Sequence, residues 1–217
     1  MRVVIAGGHG QIALLLEKVL AEGGHTPVGI VRNPDHVGDV EATGAEAVVL
    51  DLESADVEAL AEVLLGADAV VFAAGGGPNS GVERKETVDK GAAVLLADAA
   101  EKAGVRRYVM VSSMGTDKAD PTSDDAFQVY LRAKLAADDD LRARDLDWTV
   151  VRPGRLTGDA AGGRIQVGRL ARGEIARADV AAVLAAVLDH DATVRTTFDL
   201  LAGHQTIDAA LAGLATH

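Results

Sequence analysis

The residues best equipped for proton transfer are Tyr130 and Lys134, in the stretch YLRAK. Four positions apart on a helix they share one face, so both can point into one cleft. An ammonium beside a phenol stabilises the phenolate and draws the tyrosine pKa down from about 10 toward neutrality. Such a tyrosine can give a proton to, or take one from, a carbonyl or hydroxyl. The same spacing also arises by chance, where a surface tyrosine lies along a lysine stem. Just upstream, the apolar run RRYVMVSS ends in Ser112 and Ser113.

A second signal stands at the front of the chain, in MRVVIAGGHGQIALLLEKVL. Gly7, Gly10 and Ala13 follow one another at intervals of three between an apolar run and an amphipathic one. Glycine at 7 allows a tight turn, glycine at 10 allows a diphosphate to approach the backbone, and a small residue at 13 lets the helix pack closely. The amides of His9, Gly10, Gln11 and Ile12 then face the anion, aided by the helix dipole. An ordinary tight turn gives the same glycines but not the later signals.

Those signals fall where other apolar runs end. After TPVGIV comes Arg32, which either forks onto a 2′-phosphate or is a solvated strand-end arginine. The first case favours NADP over NAD, with NAD still open. Asp51 and Leu52 close VVLDL; the carboxylate either accepts from an adenine amino group or caps the next helix. Ala73, Ala74 and Gly75 close VVFAAG, where small residues let a cofactor cross the sheet edge.

The elements that must position these residues alternate. Strands are expected at 2–7, 26–32, 45–52, 68–77, 106–113, 147–154 and 195–203, with a short one at 162–168. Helices are expected at 10–24, 54–67 with Ser54 as N-cap, 83–103, 126–145 and 176–190, and short ones at 33–44 and 206–215. Strand–helix alternation at this spacing implies right-handed crossovers: a Rossmann-like, doubly wound α/β fold, its parallel sheet covered by helices on both faces. Ligands then sit at the carboxyl ends of the strands. A single domain over 1–217 is expected, with a small substrate-side lobe over about 155–217.

Composition narrows the function. Hydrophobic residues make up 48% of the 217, and aromatics only 3%, so Ala, Val and Leu must fill the core. A formal charge of −12 argues against a nucleic-acid surface. There is no cysteine, and so no disulfide or thiolate chemistry. No stretch approaches the roughly 20 apolar residues of a membrane span, and the N-terminus is not a signal peptide. A cytoplasmic protein acting on a small molecule is expected, without nucleic acid or membrane as partner; a homo-oligomer stays open. The six histidines and the acidic loop TDKADPTSDD have no metal-ligand spacing. DDD at 138–140 reads as a solvated helix face. The run Arg152, Arg155, Arg164, Arg169, Arg172, Arg177 either receives an anion or pairs with the surrounding carboxylates.

Taken together, the glycine turn, Arg32, Asp51, the AAG stretch, VSSM, YLRAK and VRPG resemble the short-chain dehydrogenase/reductase superfamily over nearly the whole chain. The likeness is to its short, atypical NAD(P)-binding, epimerase-like branch. Ala6-Gly7 stands where the motif usually opens Thr-Gly, and Ala13 replaces its last glycine. The resemblance implies that Lys134 also binds the nicotinamide ribose and that Ser113, or failing that Ser112, holds the reacting oxygen. It also implies that Pro153, Gly154 and Leu156 line the nicotinamide side. An oxidoreductase on a small carbonyl or alcohol is the first expectation, and a non-catalytic NADP(H) sensor with a protein partner the second. A nucleotide-sugar epimerase comes last, because only about 60 residues follow VRPG.

Overall fold

The computed structural model describes residues 1–75 and 85–216. In chain order the elements are β1 (Arg2–Ala6), α1 (Gln11–Glu22), β2 (Thr26–Val31), α2 (Val37–Glu41), β3 (Glu46–Val49), α3 (Val57–Val63) and β4 (Ala69–Phe72). A π-helical segment, Lys85–Ala92, runs into α4 (Ala93–Ala103). Then come β5 (Arg107–Val111), α5 (Ala126–Arg142), β6 (Asp147–Pro153), β7 (Arg155–Thr157), β8 (Ile165–Gly168), β9 (Glu174–Ala176), α6 (Arg177–Leu188), β10 (Thr196–Ala202) and α7 (Ile207–Ala212). The expected strand 68–77 and helix 83–103 reach residues 76, 77, 83 and 84, which lie outside the described ones.

Among the described residues eight strands form one sheet, ordered β3-β2-β1-β4-β5-β6-β10-β8. Seven run parallel; β8 is antiparallel to β10 at the edge, the one departure from the expected parallel sheet. β7 and β9 make a separate parallel pair that periodicity did not reveal, because each has three residues. The strand order reverses between β1 and β4, which pair in register Val3↔Ala69 to Ala6↔Phe72. A crevice opens at such a reversal because successive helices leave toward opposite faces.

β1 shows why the strands read as unbroken apolar runs. Val3 and Ile5 pack toward α1 and α6. Val4 and Ala6 pack toward α3 and α4. Alternate side chains thus enter two different cores, and all four residues are fully buried. Arg107 staples the α6 side, donating to the carbonyls of Asp147 and Val187 and to the hydroxyls of Thr149 and Thr193. Burial pulls its pKa down to about 10.

Two local expectations are corrected. Asp56, not Ser54, caps α3, accepting from the Ala59 amide at 2.8 Å. Ser54 instead bonds back to the Asp51 carbonyl inside the preceding turn. The weak helix at 33–44 divides into a 3₁₀ turn, Pro34–His36, and the short α2, with Asn33 accepting from the Asp35 amide.

Candidate functional site

The glycine turn leaves β1 beside the strand-order reversal. Gly7 has φ +84°, and a Cβ there would lie 2.6 Å from the Ala74 backbone. No other residue type fits without moving the segment that follows β4. Gly10 ends the turn in extended conformation and opens α1 with no side-chain cap. A Cβ on Gly10 would press on the Gly7 carbonyl at 3.1 Å. The first bond along α1 runs from the Leu14 amide to the Gly10 carbonyl. The amides of Gln11, Ile12 and Ala13 therefore have no acceptor one turn back. Ala13 is fully buried, as close helix–sheet packing requires.

A cleft of about 360 Å³ spreads from this turn. Its walls include Gly7, His9 and Gly10, then Arg32, Asn33 and His36, and Asp51 to Glu53; Ala73 to Gly75 face them. The turn, the end of β2, the end of β3 and the end of β4 thus share one concavity. The His9 ring stacks on His36 at 3.6 Å between centroids, and its Nε2 meets Asp39 at 2.8 Å. Its side chain is thereby held to the α2 side. Arg32 bridges Glu53 at 2.9 Å, and Glu53 also accepts from Thr87. Asp51 accepts from the Glu53 amide, closing the turn that carries that partner.

Ser112, Ser113, Tyr130, Lys134, Pro153, Gly154 and Leu156 lie outside the lining of this cleft. Lys134 is the one among them tied to its wall. Its ammonium lies 3.2 Å from the Val111 carbonyl, 3.4 Å from the Ala74 carbonyl and 3.3 Å from Asp89. It also sits 5.2 Å from the centre of the Phe72 ring. Tyr130 is half-buried and stacks on Phe127 at 6.0 Å. Gly154 is held by packing: a Cβ there would meet the Gly173 carbonyl oxygen at 2.5 Å.

The two serines part company. Ser113 is half-buried, and among the described residues its hydroxyl donates to the next carbonyl, at 3.5 Å. Ser112 is buried and donates to Asp138 at 2.9 Å. Asp138 also accepts from Arg152 Nε and Nη2 at 3.1 and 2.9 Å. It is fully buried, which corrects the reading of DDD as a solvated face; burial raises its pKa above the usual carboxylate range. The signal was in the sequence: on a helix, 138 is one turn beyond Lys134 and falls on the inward side. Asp89 and Glu53 carried no such sign, since their partners come from distant elements. Among the described residues no cluster of ligating side chains could hold a metal ion, and no helix is long and apolar enough to cross a membrane.

A doubly wound sheet, a glycine turn at its strand reversal and an uncapped helix facing one cleft define a dinucleotide-binding protein. The chain belongs to the NAD(P)H-binding family, whose model matches residues 7–191, within the atypical NAD(P)-binding branch of the short-chain dehydrogenase/reductase superfamily. It is 35% identical to a protein of Bacillus subtilis named uncharacterized sugar epimerase YhfK, over 97% of this chain and 99% of that one. A solved structure from Bacillus halodurans, named as a candidate NAD-dependent epimerase/dehydratase, superposes with a TM-score of 0.91 at 36% identity, covering 98% of this chain and 99% of its own. The structure of the oxidoreductase ylbE from Lactococcus lactis matches at TM-score 0.89 and 29% identity, over 100% of this chain and 98% of that one.

Proposed function

We propose that the protein is an NADP(H)-dependent oxidoreductase acting on a small carbonyl or alcohol. The observation that carries this reading is the turn at Gly7, where a positive φ and the pressure of Ala74 leave room only for backbone, opening onto an uncapped helix. Such a cradle fits a diphosphate. The coenzyme, when bound, supplies the hydride.

The chain's own residues supply the rest. Gly7 and Gly10 let the diphosphate approach the backbone, and the amides of His9, Gln11 and Ile12 hold it; the Gly10 amide closes the turn onto the Gly7 carbonyl. Arg32 takes the 2′-phosphate after releasing Glu53. Asp51 and Leu52 flank the adenine, and Ala73, Ala74 and Gly75 form the smooth opposite wall. Pro153, Gly154 and Leu156 border the nicotinamide side. Lys134, held by Asp89 and two carbonyls, reaches the ribose by exchanging its longest contact, the 3.4 Å bond to the Ala74 carbonyl, for a ribose hydroxyl. Ser113 orients the reacting oxygen, with Ser112 committed to Asp138, and Tyr130 transfers the proton.

One observation favours a second reading. The Lys134 ammonium is held by Asp89, and Tyr130 stacks on Phe127. That arrangement suits a coenzyme-binding sensor that signals to a protein partner.

Fluorescence titration with NADPH and NADH tests the coenzyme reading; a protein that binds neither disproves it. Tyr130→Phe separates the two functions. An enzyme loses about a hundredfold or more in turnover and keeps its NADPH affinity. A sensor keeps its partner response.

A further inference from the structure

The six arginines between 152 and 177 do not act as one basic patch. Arg152 is buried on Asp138, Arg155 pairs with Glu174, and Arg164 donates to the His204 carbonyl. Arg169 and Arg172 are exposed. Arg177 differs from all of these: it is half-buried, makes no ion pair among the described residues, and lines a second cleft of about 480 Å³.

This cleft adjoins the first across the start of α1, with Gly10 in one lining and Gln11 in the other. Gln11 and Leu15 form one wall; Thr157 and the glycine-bearing loop after β7 form the other. The loop is tied down just beyond that wall. Asp179, 2% exposed in the first turn of α6, accepts from the amides of Gly162 and Gly163 at 2.9 and 2.8 Å. The one acid of the cleft, Asp159, is exposed and makes no bridge to Arg177.

Arg177 is the first residue of α6, a helix of twelve residues with no side-chain cap. The positive pole of a helix disfavours a cation, and withdrawal from water adds to the cost. The one carboxylate in that turn, Asp179, is engaged by the loop amides. An anion in the cleft would relieve the strain and would be gripped by a planar, forked donor.

We propose that this second cleft is the subsite for a carboxylate on the substrate, held by Arg177, so that the substrate class is an oxo acid or its hydroxy acid. The assignment of the carboxylate to a substrate rests on the oxidoreductase reading; the anion subsite does not.

The test is calorimetric titration of succinate, and of its uncharged diamide, into the full-length protein with and without saturating NADPH. Succinate is expected to bind about tenfold or more tightly than the diamide, the worth of a charge-assisted fork. Arg177→Met should abolish that preference and keep NADPH affinity within about twofold, and Arg177→Lys should retain part of it. A melting curve checks each variant; if the Met variant does not fold, the partial loss in the Lys variant decides. Equal binding of succinate and diamide, or unchanged succinate binding in the variants, overturns the proposal. So does an equal loss of NADPH affinity on removing Arg177, which would assign the arginine to the coenzyme diphosphate. Succinate binding to a protein that takes no NADPH would leave the anion subsite standing and remove the coenzyme reading alone.

Discussion

The Lys134 ammonium and an Asp89 carboxylate oxygen lie 3.3 Å apart, with both side chains almost wholly withdrawn from solvent. One comes from α5 and the other from the π-helical segment ahead of α4, so the pair ties two elements together behind β4. Removing one partner of a buried pair leaves a bare charge, whereas replacing both with apolar groups is often neutral. Asp89→Ala is therefore expected to lower stability by about 3–5 kcal/mol in urea unfolding. The double variant Asp89→Leu, Lys134→Met should recover most of that loss. Turnover should not return in the double variant, because the proposed ribose contact is gone; recovered turnover would make Lys134 a structural residue only.

Glu17 lies on α1 beneath the glycine turn, in space left by two missing side chains. A Cβ on Gly29 would come within 2.5 Å of its Oε1, and one on Gly8 within 3.0 Å. It accepts from the Thr43 hydroxyl, and burial pushes its pKa from 4.5 up to about 8. The folded chain thus binds a proton that the unfolded chain has released. Stability from this group is fully present below about pH 4.5 and is lost as pH rises through about 8. Glu17→Gln, which keeps shape and removes the charge, should flatten the fall in Tm between about pH 5 and about pH 9. An unchanged slope in a pH series of melting curves would mean that Glu17 is ionised in the fold.

Asp138 holds Ser112 and Arg152 together between the ends of β5 and β6. Asp138→Ala leaves Arg152, 7% exposed, without its counter-charge. A loss of about 3–5 kcal/mol is expected in denaturant unfolding. Ser112→Ala should cost about 1 kcal/mol, because Asp138 keeps its two bonds from Arg152. Turnover in Ser112→Ala should stay near that of the parent while Ser113→Ala loses it. The reverse result would give the reacting oxygen to Ser112.

The order of strands and helices was legible because the central strands, β1, β4 and β6 among them, bury both faces. Val3 to Ala6 read as apolar whichever core each one enters, and the Gly7 turn announced itself through residues that tolerate φ +84°. What could not be read were pairings between elements far apart in sequence. Asp89 and Lys134 are 45 positions apart, and Arg32 and Glu53 are 21 apart; nothing local marks either acid as a partner. Asp138 misled for the opposite reason. Three successive aspartates look solvated as a run, but helical geometry turns only one of them inward, against Arg152. β7 and β9 were missed because three residues carry no period.

The bridge from Arg32 to Glu53 bears directly on coenzyme choice. The arginine sits at the end of β2 with 54% of its side chain exposed, and the acid is 24% exposed. A 2′-phosphate competes with the carboxylate for the guanidinium, and the carboxylate repels it as it approaches. Glu53→Gln removes both obstacles. An exposed ion pair is worth less than about 1 kcal/mol, so NADPH affinity should rise about two- to fivefold, with NADH affinity nearly unchanged. Arg32→Asp should instead weaken NADPH by about tenfold or more and spare NADH, since a phosphate fork is lost and a like charge put in its place. Fluorescence titration of the three proteins with both coenzymes measures all of these. If Glu53→Gln strengthens NADH as much as NADPH, the acid acts on the diphosphate common to both, and Arg32 is not what distinguishes them.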